Sequence, residues 1–350
     1  MLVKDYSFKL SDFHIHHLDA LLPEDALLMD IETTGFQAAY QNIYLIGLGF
    51  RKGETITLHL LYAPTLEAEE SILKEYQSTL KEFQRLITFN GDMFDLPFIE
   101  KRCQKYKIES IQNTLVSTDL FKIAKKYKKY LNLEHYKQKD LEHYFGLFRE
   151  DKFNGGELIN LYKKQAIEPN VSETELLFLH NMEDVKGMVT LLQLLDFSLL
   201  KNNEYMVKTQ FFDGEEIYFE LEASSYSNLN IKYIGSFYYL QWKGNTLSGN
   251  LRPYIGKLKY FYKDYKNYVY IPDEDLLLPK ALASTIEKSR IQKATKEQCF
   301  AEKDSVFLID HANFSEQHFK EDFKAKETYM EIHPNELKER FLTEYITSLL

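Results

Sequence analysis

The chain of 350 residues is 44% hydrophobic and carries a formal net charge of −10 at pH 7. This length suits one large or two ordinary globular domains, and no apolar run approaches the length that crosses a membrane. The acidic balance argues against a protein that coats duplex DNA by bulk electrostatics, although a few local cations are enough to meet the phosphates of a nucleic-acid substrate.

The first 200 residues alternate between strand and helix patterns. Predicted strands cover residues 27–31, 42–50, 54–61, 86–89 and 116–120. Predicted helices cover residues 66–85 and 98–106, and most of the chain from 121 to about 200. A turn at residues 51–53 joins the second and third strands into an antiparallel hairpin. This order predicts an α/β fold that resembles ribonuclease H, with a mixed five-stranded sheet flanked by helices.

The composition changes beyond about residue 200. Residues 211–270 are rich in aromatic and β-branched side chains and are interrupted by glycines, which predicts several short antiparallel strands. A helix is predicted over residues 278–294, and a charged, weakly patterned tail follows. The sequence therefore predicts a ribonuclease H-like domain over residues 1–200. Residues 201–350 are expected to form a smaller accessory α+β domain, β-rich and then helical, to which the sequence assigns no function.

Two carboxylates lie on the first predicted strand, in the segment Leu-Met-Asp-Ile-Glu-Thr-Thr-Gly that ends at Gly35. Side chains alternate along a strand, so Asp30 and Glu32 project from the same face. Two neighbouring acids repel each other unless a cation lies between them, and Mg²⁺ prefers carboxylate oxygens. A surface strand with two solvated acids is the alternative at this point.

Two later segments contribute further acids. Asp95 begins the helix that follows the strand ending near Asn90, where an ordinary helix-capping role is the alternative. His180 and Asp184 lie one turn apart on a late helix and share a face, where a solvated i,i+4 pair is the alternative.

Together the three segments resemble the DEDD (DnaQ-like) 3′→5′ exonuclease superfamily, in the order of motifs that this superfamily has. Asp-x-Glu follows one strand, Asn-x-x-x-Phe-Asp ends another, and His-x-x-x-Asp lies on a late helix. Residues 140–147, Arg149, Glu150, Asp151, residues 155–157 and residues 161–162 add a likeness to the YprB-type ribonuclease H-like branch. The resemblance covers roughly residues 26–195.

This resemblance implies that Asp30, Glu32, Asp95 and Asp184 bind two divalent ions, Mg²⁺ or Mn²⁺. Two such ions clamp the attacking and leaving oxygens of an in-line displacement at phosphorus. By position Asp30 bridges the ions, Glu32 and Asp184 serve the ion on the nucleophile side, and Asp95 serves the other.

His180 is the candidate for positioning or deprotonating the attacking water, because histidine works as a base near neutral pH. Here the sequence departs from the family patterns. One branch has tyrosine four residues before the last aspartate, and another has histidine five residues before it. This chain has histidine at the tyrosine spacing and Leu179 at position five. Either His180 acts from the tyrosine position, or catalysis is weaker or organised differently.

The resulting hypothesis is a metal-dependent 3′→5′ exonuclease that acts on single-stranded or frayed ends of DNA or RNA. A ribonuclease H-type endonuclease and a non-catalytic nucleic-acid-binding scaffold are the alternatives. The N-terminus lacks a secretory pattern, and Cys103 and Cys299 lie far apart outside metal-ligand spacing, so a cytoplasmic protein without membrane partners is expected.

Several other residues have a structural and a functional interpretation. Asn90, Thr33, Thr34 and Lys139 are candidates for substrate contacts, with turn formation or solvent exposure as the alternative. The histidines at 14, 16 and 17 lack partner ligands at metal spacing, so packing is favoured over a metal site. Aromatic residues alternate with lysines over residues 232–270, which indicates either a β-domain with an aromatic core, the favoured reading, or a surface that stacks unpaired bases.

Overall fold

The computed structural model describes residues 1–150, 153 and 155–350. Asp151, part of the predicted motif, lies outside the described residues. Contacts divide the chain into two compact units, the first comprising Met1–Asn202 with Tyr226–Ile231 and the second Asn203–Ser225 with Lys232–Leu350. No helix among the described residues is long and apolar enough to cross a membrane.

Six strands of unit one form a mixed sheet. They are β1 (Leu2–Lys9), β2 (Ala26–Thr33), β3 (Ile43–Lys52), β4 (Thr55–Tyr62), β5 (Arg85–Thr88) and β6 (Val116–Asp119). Their order across the sheet is β1-β4-β3-β2-β5-β6. The pairs β1–β4, β4–β3 and β3–β2 are antiparallel, whereas β5 runs parallel to both β2 and β6. The predicted ribonuclease H-like arrangement is confirmed, with β2 at its centre.

Helices cover both faces of this sheet. They are α1 (Leu18–Leu21), α2 (Glu69–Leu80), α3 (Asp95–Tyr106), α4 (Leu120–Lys126), α5 (Lys128–Leu131), α6 (Gln138–Tyr144), α7 (Gly155–Gln165), α8 (Val171–Leu191) and α9 (Leu199–Asn202). One apolar core joins α2 and α3 to β2, β3 and β5. A second core joins α7 and α8 to β3 and β4, where the rings of Tyr44 and Tyr162 stack at 4.1 Å between centroids.

The sheet has six strands rather than the predicted five because β1 was missed. It pairs with β4 along all eight of its residues, at the edge of the sheet. Leu2 and Val3 are 51% and 46% exposed, so this strand lacks the buried apolar face that makes a strand visible in sequence. The predicted helix over residues 66–85 is also shorter, since α2 ends at Leu80.

Unit two is rich in strands. They are β7 (Tyr205–Phe212), β8 (Ile217–Ile234), β9 (Tyr238–Leu251), β10 (Tyr254–Phe261), β11 (Tyr268–Ile271), β12 (Leu276–Pro279), β13 (Gln292–Lys293), β14 (Phe300–Ile309) and β15 (Tyr329–Ile332). Residues 226–231 of β8 belong to unit one. The sheet orders are β7-β8-β9, β12-β11-β13 and β10-β14-β15. One helix, α10 (Glu339–Leu349), follows the last strand.

One prediction for this unit is wrong. The helix expected over residues 278–294 is replaced by the end of β12, two 3₁₀ turns and β13. The charged tail, whose sequence shows little pattern, forms β14, β15 and α10. The helix-forming residues of the first segment are overruled by sheet pairing, because both β12 and β13 pair with β11.

The aromatic and lysine-rich segment over residues 232–270 has the geometry of a β-domain. The rings that alternate there are buried or half-buried, and Trp242 is 1% exposed. The cations, apart from half-buried Lys259, are exposed. This distribution favours an aromatic core with a solvated outer face over a base-stacking surface.

A buried ion pair fixes the start of β3 beside the central strand. Glu69 and Arg102 are 0% and 1% exposed, and their side chains are joined at 2.7 Å (Nε to Oε1) and 2.5 Å (Nη2 to Oε2). Glu69 also accepts hydrogen bonds from the Tyr106 hydroxyl and from the backbone N–H of Ile43. The carboxylate, at the start of α2, therefore satisfies groups on α3 and β3 at once.

We expect Glu69→Gln to lower the free energy of unfolding by about 3–5 kcal/mol, because it leaves the Arg102 charge buried and uncompensated. Urea unfolding measures this loss. Glu70→Gln is the matched control, since Glu70 is 43% exposed and pairs with Lys74 one turn away, and its loss should stay below about 1 kcal/mol. Equal losses in the two variants would contradict the role of the buried pair.

Candidate functional site

Asp30 and Glu32 lie on β2, the central strand of the sheet. Both are half-buried, whereas Met29 and Ile31 between and beside them are buried in the core. The alternation of side chains along the strand therefore places the two acids on one face, as the sequence predicts. The alternative of two solvated acids on a surface strand does not fit this position.

Helix α8 crosses that face of the sheet at close range because β3 carries two glycines opposite it. Gly47 pairs with Asp30, and a Cβ at position 47 would lie 2.1 Å from the Asn181 side-chain oxygen. A Cβ at Gly49 would lie 2.7 Å from Val185. With this room, the Asn181 amide donates a hydrogen bond of 2.7 Å to Asp30 Oδ2.

Asp95 reaches the same region from the first turn of α3. It is 5% exposed, and its Oδ1 accepts a hydrogen bond from the backbone N–H of Ile31 at 3.3 Å. The turn before α3 is held by Asp119, which accepts bonds from the N–H groups of Asn90 (2.9 Å) and Asp92 (3.3 Å). The same carboxylate caps α4 through the N–H of Phe121.

The remaining predicted residues come from α8. His180 Nε2 lies 3.2 Å from Asp184 Oδ2, one turn further along the helix, and 3.4 Å from Glu32 Oε1 on β2. The three side chains are 10%, 17% and 14% exposed. The structure thus brings all five predicted site residues together, and we call Asp30, Glu32, Asp95 and Asp184 the acid cluster.

Sequence reasoning used Arg149 only for the family likeness and did not predict that this cation lies next to the cluster. Arg149, 4% exposed, lies with Nη1 2.5 Å from Asp184 Oδ1. Its other nitrogens bind Glu142, a fully buried carboxylate on α6, at 2.5 Å each. Gly187 on α8 makes room for Glu142, since a Cβ there would lie 1.9 Å from Glu142 Oε1. Arg149 therefore links Asp184 on α8 to Glu142 on α6 and holds the Asp184 side chain in place.

Burial and mutual repulsion make three members of the acid cluster costly to ionise. The pKa of Asp30 is raised well above its ordinary range, first by burial and then by the charges of Asp184, Asp95 and Glu32. Burial raises the pKa of Glu32 to about 7, although His180 opposes the shift. Burial likewise raises the pKa of Asp95 to about 7, against hydrogen bonds from the backbone.

These residues fit a divalent cation. Glu32, His180 and Asp184 each offer a ligand atom, and these atoms lie within 4.8 Å of one another. The Asn181 side-chain oxygen beside Asp30 is buried and has no hydrogen bond to another described residue. Clustered carboxylates with raised pKa values are what a hard cation stabilises in the ionised form. The donor set therefore suits Mg²⁺ or Mn²⁺ in chemistry and charge.

A cavity of about 690 Å³ opens onto the acid cluster. Asp30, Glu32, Asp95 and Asp184 form one part of its lining. The rest is largely aromatic or basic: Phe36, Phe89, Phe94, Phe121, Lys125, Tyr136 and Lys137. Phe36 is 85% exposed. The site thus combines carboxylates with apolar rings in one recess of ordinary ligand-binding size.

The other candidates from the sequence have visible structural roles. Asn90 has φ 62°, a left-handed conformation that asparagine tolerates in turns, and it also lines the cavity. The hydroxyls of Thr33 and Thr34 donate to Gly35 and Gln41 in the turn after β2. Lys139 donates to the backbone oxygen of Phe153 at 3.3 Å.

The histidine tract near the N-terminus lies outside the group of potential metal ligands found in the described residues. The rings of His16 and His17 contact each other at 3.9 Å, and His16 lies 4.4 Å from the Tyr226 ring. These contacts agree with the packing interpretation.

A known family model covers the part of the chain that contains this site. Residues 27–196, just under half of the chain, match the family model described as the ribonuclease H superfamily. All four members of the acid cluster, His180 and Arg149 fall within the matched residues. The finer assignments to the DEDD exonuclease superfamily and to its YprB-type branch stay predictions.

The comparison with curated proteins found no match. Among solved structures, one match is the family B DNA polymerase from the hyperthermophilic archaeon Pyrobaculum calidifontis, with 14% sequence identity and a TM-score of 0.40. The alignment covers 50% of this chain and 24% of the polymerase chain, so the chain spans about a quarter of the polymerase's length.

We expect Glu32→Gln to gain stability over the wild type as pH rises, when both are measured in EDTA. The folded pKa of Glu32, about 7, lies above its ordinary value of 4.5, so between these values the folded wild type holds a proton that the unfolded chain has lost. The contribution of Glu32 to the free energy of unfolding of the wild type is therefore fully present below pH 4.5 and falls as pH rises towards 7. Above pH 7 it no longer changes with pH. The difference should reach about 3 kcal/mol at most.

Chemical unfolding of both proteins between pH 5 and pH 8 measures this difference, with exposed Glu54→Gln as the control. At pH 8, Mn²⁺ should raise the melting temperature of the wild type and have a smaller effect on Glu32→Gln. A pH-independent difference, together with equal Mn²⁺ shifts, would contradict the cation site.

Proposed function

We propose that this chain, with its ribonuclease H-like domain over residues 27–196, is a metal-dependent 3′→5′ exonuclease that hydrolyses phosphodiester bonds at nucleic-acid ends. The observation that carries the proposal is the convergence of four carboxylates from β2, α3 and α8 at one recess, with His180 beside Glu32 and Asp184. Such a set serves phosphoryl hydrolysis, because the reaction concentrates negative charge at the phosphate and needs a deprotonated water.

Each residue has a proposed role. Asp30, Glu32, Asp95 and Asp184 would hold two ions, Mg²⁺ or Mn²⁺, with Asp30 shared between them. When bound, the ions supply charge stabilisation and lower the pKa of a water. The protein's own contribution is to hold the carboxylates in position: Asn181 orients Asp30, the Ile31 N–H orients Asp95, and Arg149 orients Asp184.

His180 is proposed to accept the proton of the attacking water at Nε2. That atom faces Glu32 and Asp184, both members of the acid cluster, and this position supports the proposed role. A histidine at the spacing that other branches give to tyrosine therefore reaches the cluster through the helix geometry of α8. The same position also suits His180 as a cation ligand, which is a second role for this side chain.

A non-catalytic nucleic-acid-binding protein is the second candidate function. The observation that favours it is the ion pair of Arg149 with Asp184, which compensates one carboxylate of the cluster with a protein cation. Retention of all four carboxylates with His180 favours the enzyme instead. Mn²⁺ binding without nucleotide release would support this second candidate.

We expect Asp30→Asn to lower Mn²⁺-dependent nucleotide release by about 100- to 1,000-fold or more, on the scale of losing one electrostatic contact to a transition state. The assay follows linear single-stranded DNA and RNA labelled at the 3′ or the 5′ end. A 3′→5′ exonuclease releases the 3′ label as a mononucleotide at once and shortens the 5′-labelled strand stepwise. It leaves circular single strands intact.

Asp92→Asn is the matched control, because Asp92 lies near Asp95 in sequence but pairs with Lys122 on α4. It should retain activity. Unchanged nucleotide release by Asp30→Asn would contradict the proposed nuclease site. Cleavage of circular strands that depends on Asp30 would instead indicate an endonuclease.

We expect His180→Ala to lower kcat by about 100- to 10,000-fold, the usual range for a lost general base. Titration with Mn²⁺ separates the two roles of this residue. Loss of the base lowers kcat at saturating Mn²⁺ and leaves the half-saturating concentration unchanged, whereas loss of a ligand raises that concentration and is rescued by more Mn²⁺. His59→Gln, at a half-buried histidine on β4 that pairs with Asp5, is the control.

A further inference from the structure

Positive charge is concentrated in one segment of this acidic chain. Residues 120–139, which we call the lysine segment, contain seven lysines and a single glutamate, in a protein of net charge −10. The lysines are Lys122, Lys125, Lys126, Lys128, Lys129, Lys137 and Lys139. The segment comprises α4, α5, the loop between α5 and α6, and the beginning of α6.

The lysine segment forms part of the wall of the cavity that holds the acid cluster. Phe121, Lys125, Tyr136 and Lys137 line the same recess as Asp30 and Asp184. Lys125 and Lys137 are exposed, and Tyr136 is half-buried. The concentration of positive charge therefore begins where the proposed reaction takes place, and it continues along the exposed lysines of α4 and α5.

Lys125 is placed between rings. Its Nζ lies 4.7 Å from the centre of the Tyr136 ring and 5.2 Å from that of Phe121, and it forms no ion pair with the residues that the structure describes. Similar contacts hold Lys126 over Tyr127 at 5.1 Å and Lys129 over Tyr130 at 4.6 Å. A cation–π contact does not neutralise a cation, so Lys125 keeps its charge for an external anion.

We propose that the lysine segment binds the strand of a single-stranded polynucleotide that leads into the acid cluster. Lys125 and Lys137 meet phosphates, and Tyr136 stacks on a base. The inference rests on the proposed function, whose substrate it specifies: an unpaired strand that extends several nucleotides beyond the scissile bond.

The chemistry of the wall selects this ligand. Phosphates repeat along a polynucleotide and require cations at intervals, as the lysines are placed along α4 and α5. Rings beside those cations stack on bases only where the bases are unpaired, because the faces of bases in a duplex are covered by their neighbours. The cavity has the volume of a small-ligand site, so the rest of the strand must run along the outer wall.

The test measures binding of the full chain to fluorescein-labelled dT₁₂ and U₁₂ by fluorescence anisotropy in EDTA. Without divalent ions the strand is not cleaved, and the contribution of the lysine segment is isolated. Lys125→Gln should reduce the slope of log Kd against log salt by about 0.7, the value for one lost phosphate contact on a single strand. Tyr136→Ala should weaken binding by about 5- to 100-fold.

Two further variants separate these effects from nonspecific ones. Tyr136→Phe retains the ring but loses the hydroxyl bond to the Lys128 backbone oxygen, so it should bind within about twofold of the wild type. Lys105→Gln is the matched control for charge, since Lys105 is exposed and lies 5.2 Å over the Tyr106 ring. It lies at the far end of α3, about 15 Å along the helix from Asp95, and should leave the salt slope unchanged.

The proposal is overturned if Lys125→Gln and Lys105→Gln change the slope equally, or if a blunt duplex of the same length binds as tightly as dT₁₂. It is also overturned if inorganic polyphosphate competes as well as U₁₂ and Tyr136→Ala has no effect, since binding would then be charge alone. Binding that depends on Lys125 and Tyr136 in a protein without nuclease activity would reject the exonuclease but support the binding surface. Nuclease activity in a protein whose strand binding is unaffected by the Lys125 and Tyr136 substitutions would support the nuclease and reject the binding surface.

Discussion

The close approach of α8 to the glycines of β3 is the constraint on which the candidate site depends. Asp30 and Glu32 are fixed by the strand, whereas His180 and Asp184 are fixed by the helix. The two pairs meet only because positions 47 and 49 carry no side chain. A methyl group at Gly47 would collide with Asn181, whose amide holds Asp30. The distance between helix and sheet therefore determines both the position of the cluster and the hydrogen bond that orients it.

That geometry places like charges together at an electrostatic cost. Burial and repulsion raise the pKa values of Asp30, Glu32 and Asp95, and Arg149 places a compensating charge beside Asp184. Arg149 compensates Asp184, but it is shared with Glu142. Such an arrangement lowers the stability of the folded protein, and a bound cation would restore it. This combination is typical of functional sites.

The features of the site that could be predicted from sequence are those set by residues close together in the chain. The alternation along β2 and the one-turn spacing of His180 and Asp184 are local, so both were visible as patterns. Arg149 and Asn181 act through contacts that join distant segments, and neither shows a distinctive spacing. The two glycines at alternate positions of β3 were the available signal for the close helix, because glycines on one face of a strand mark an approaching backbone or side chain.

Errors in the secondary structure have a similar origin. Strand β1 is stabilised by pairing with β4 rather than by a buried face of its own, so its sequence lacks a strong pattern. Residues 276–293 contain good helix formers, yet β12 and β13 both pair with β11. In each case a partner strand outside the segment decides the conformation, and single-segment propensity does not include that partner.

Asp119 has a consequence for how the domain responds to a strand on its surface. One carboxylate holds the turn that leads to Asp95 and also caps α4, the first helix of the lysine segment. The turn and the helix are thereby fastened to a common anchor at the end of β6. Asp119 therefore fixes the turn before Asp95 and the start of α4 relative to each other, so the proposed strand contact and the acid cluster share one anchor.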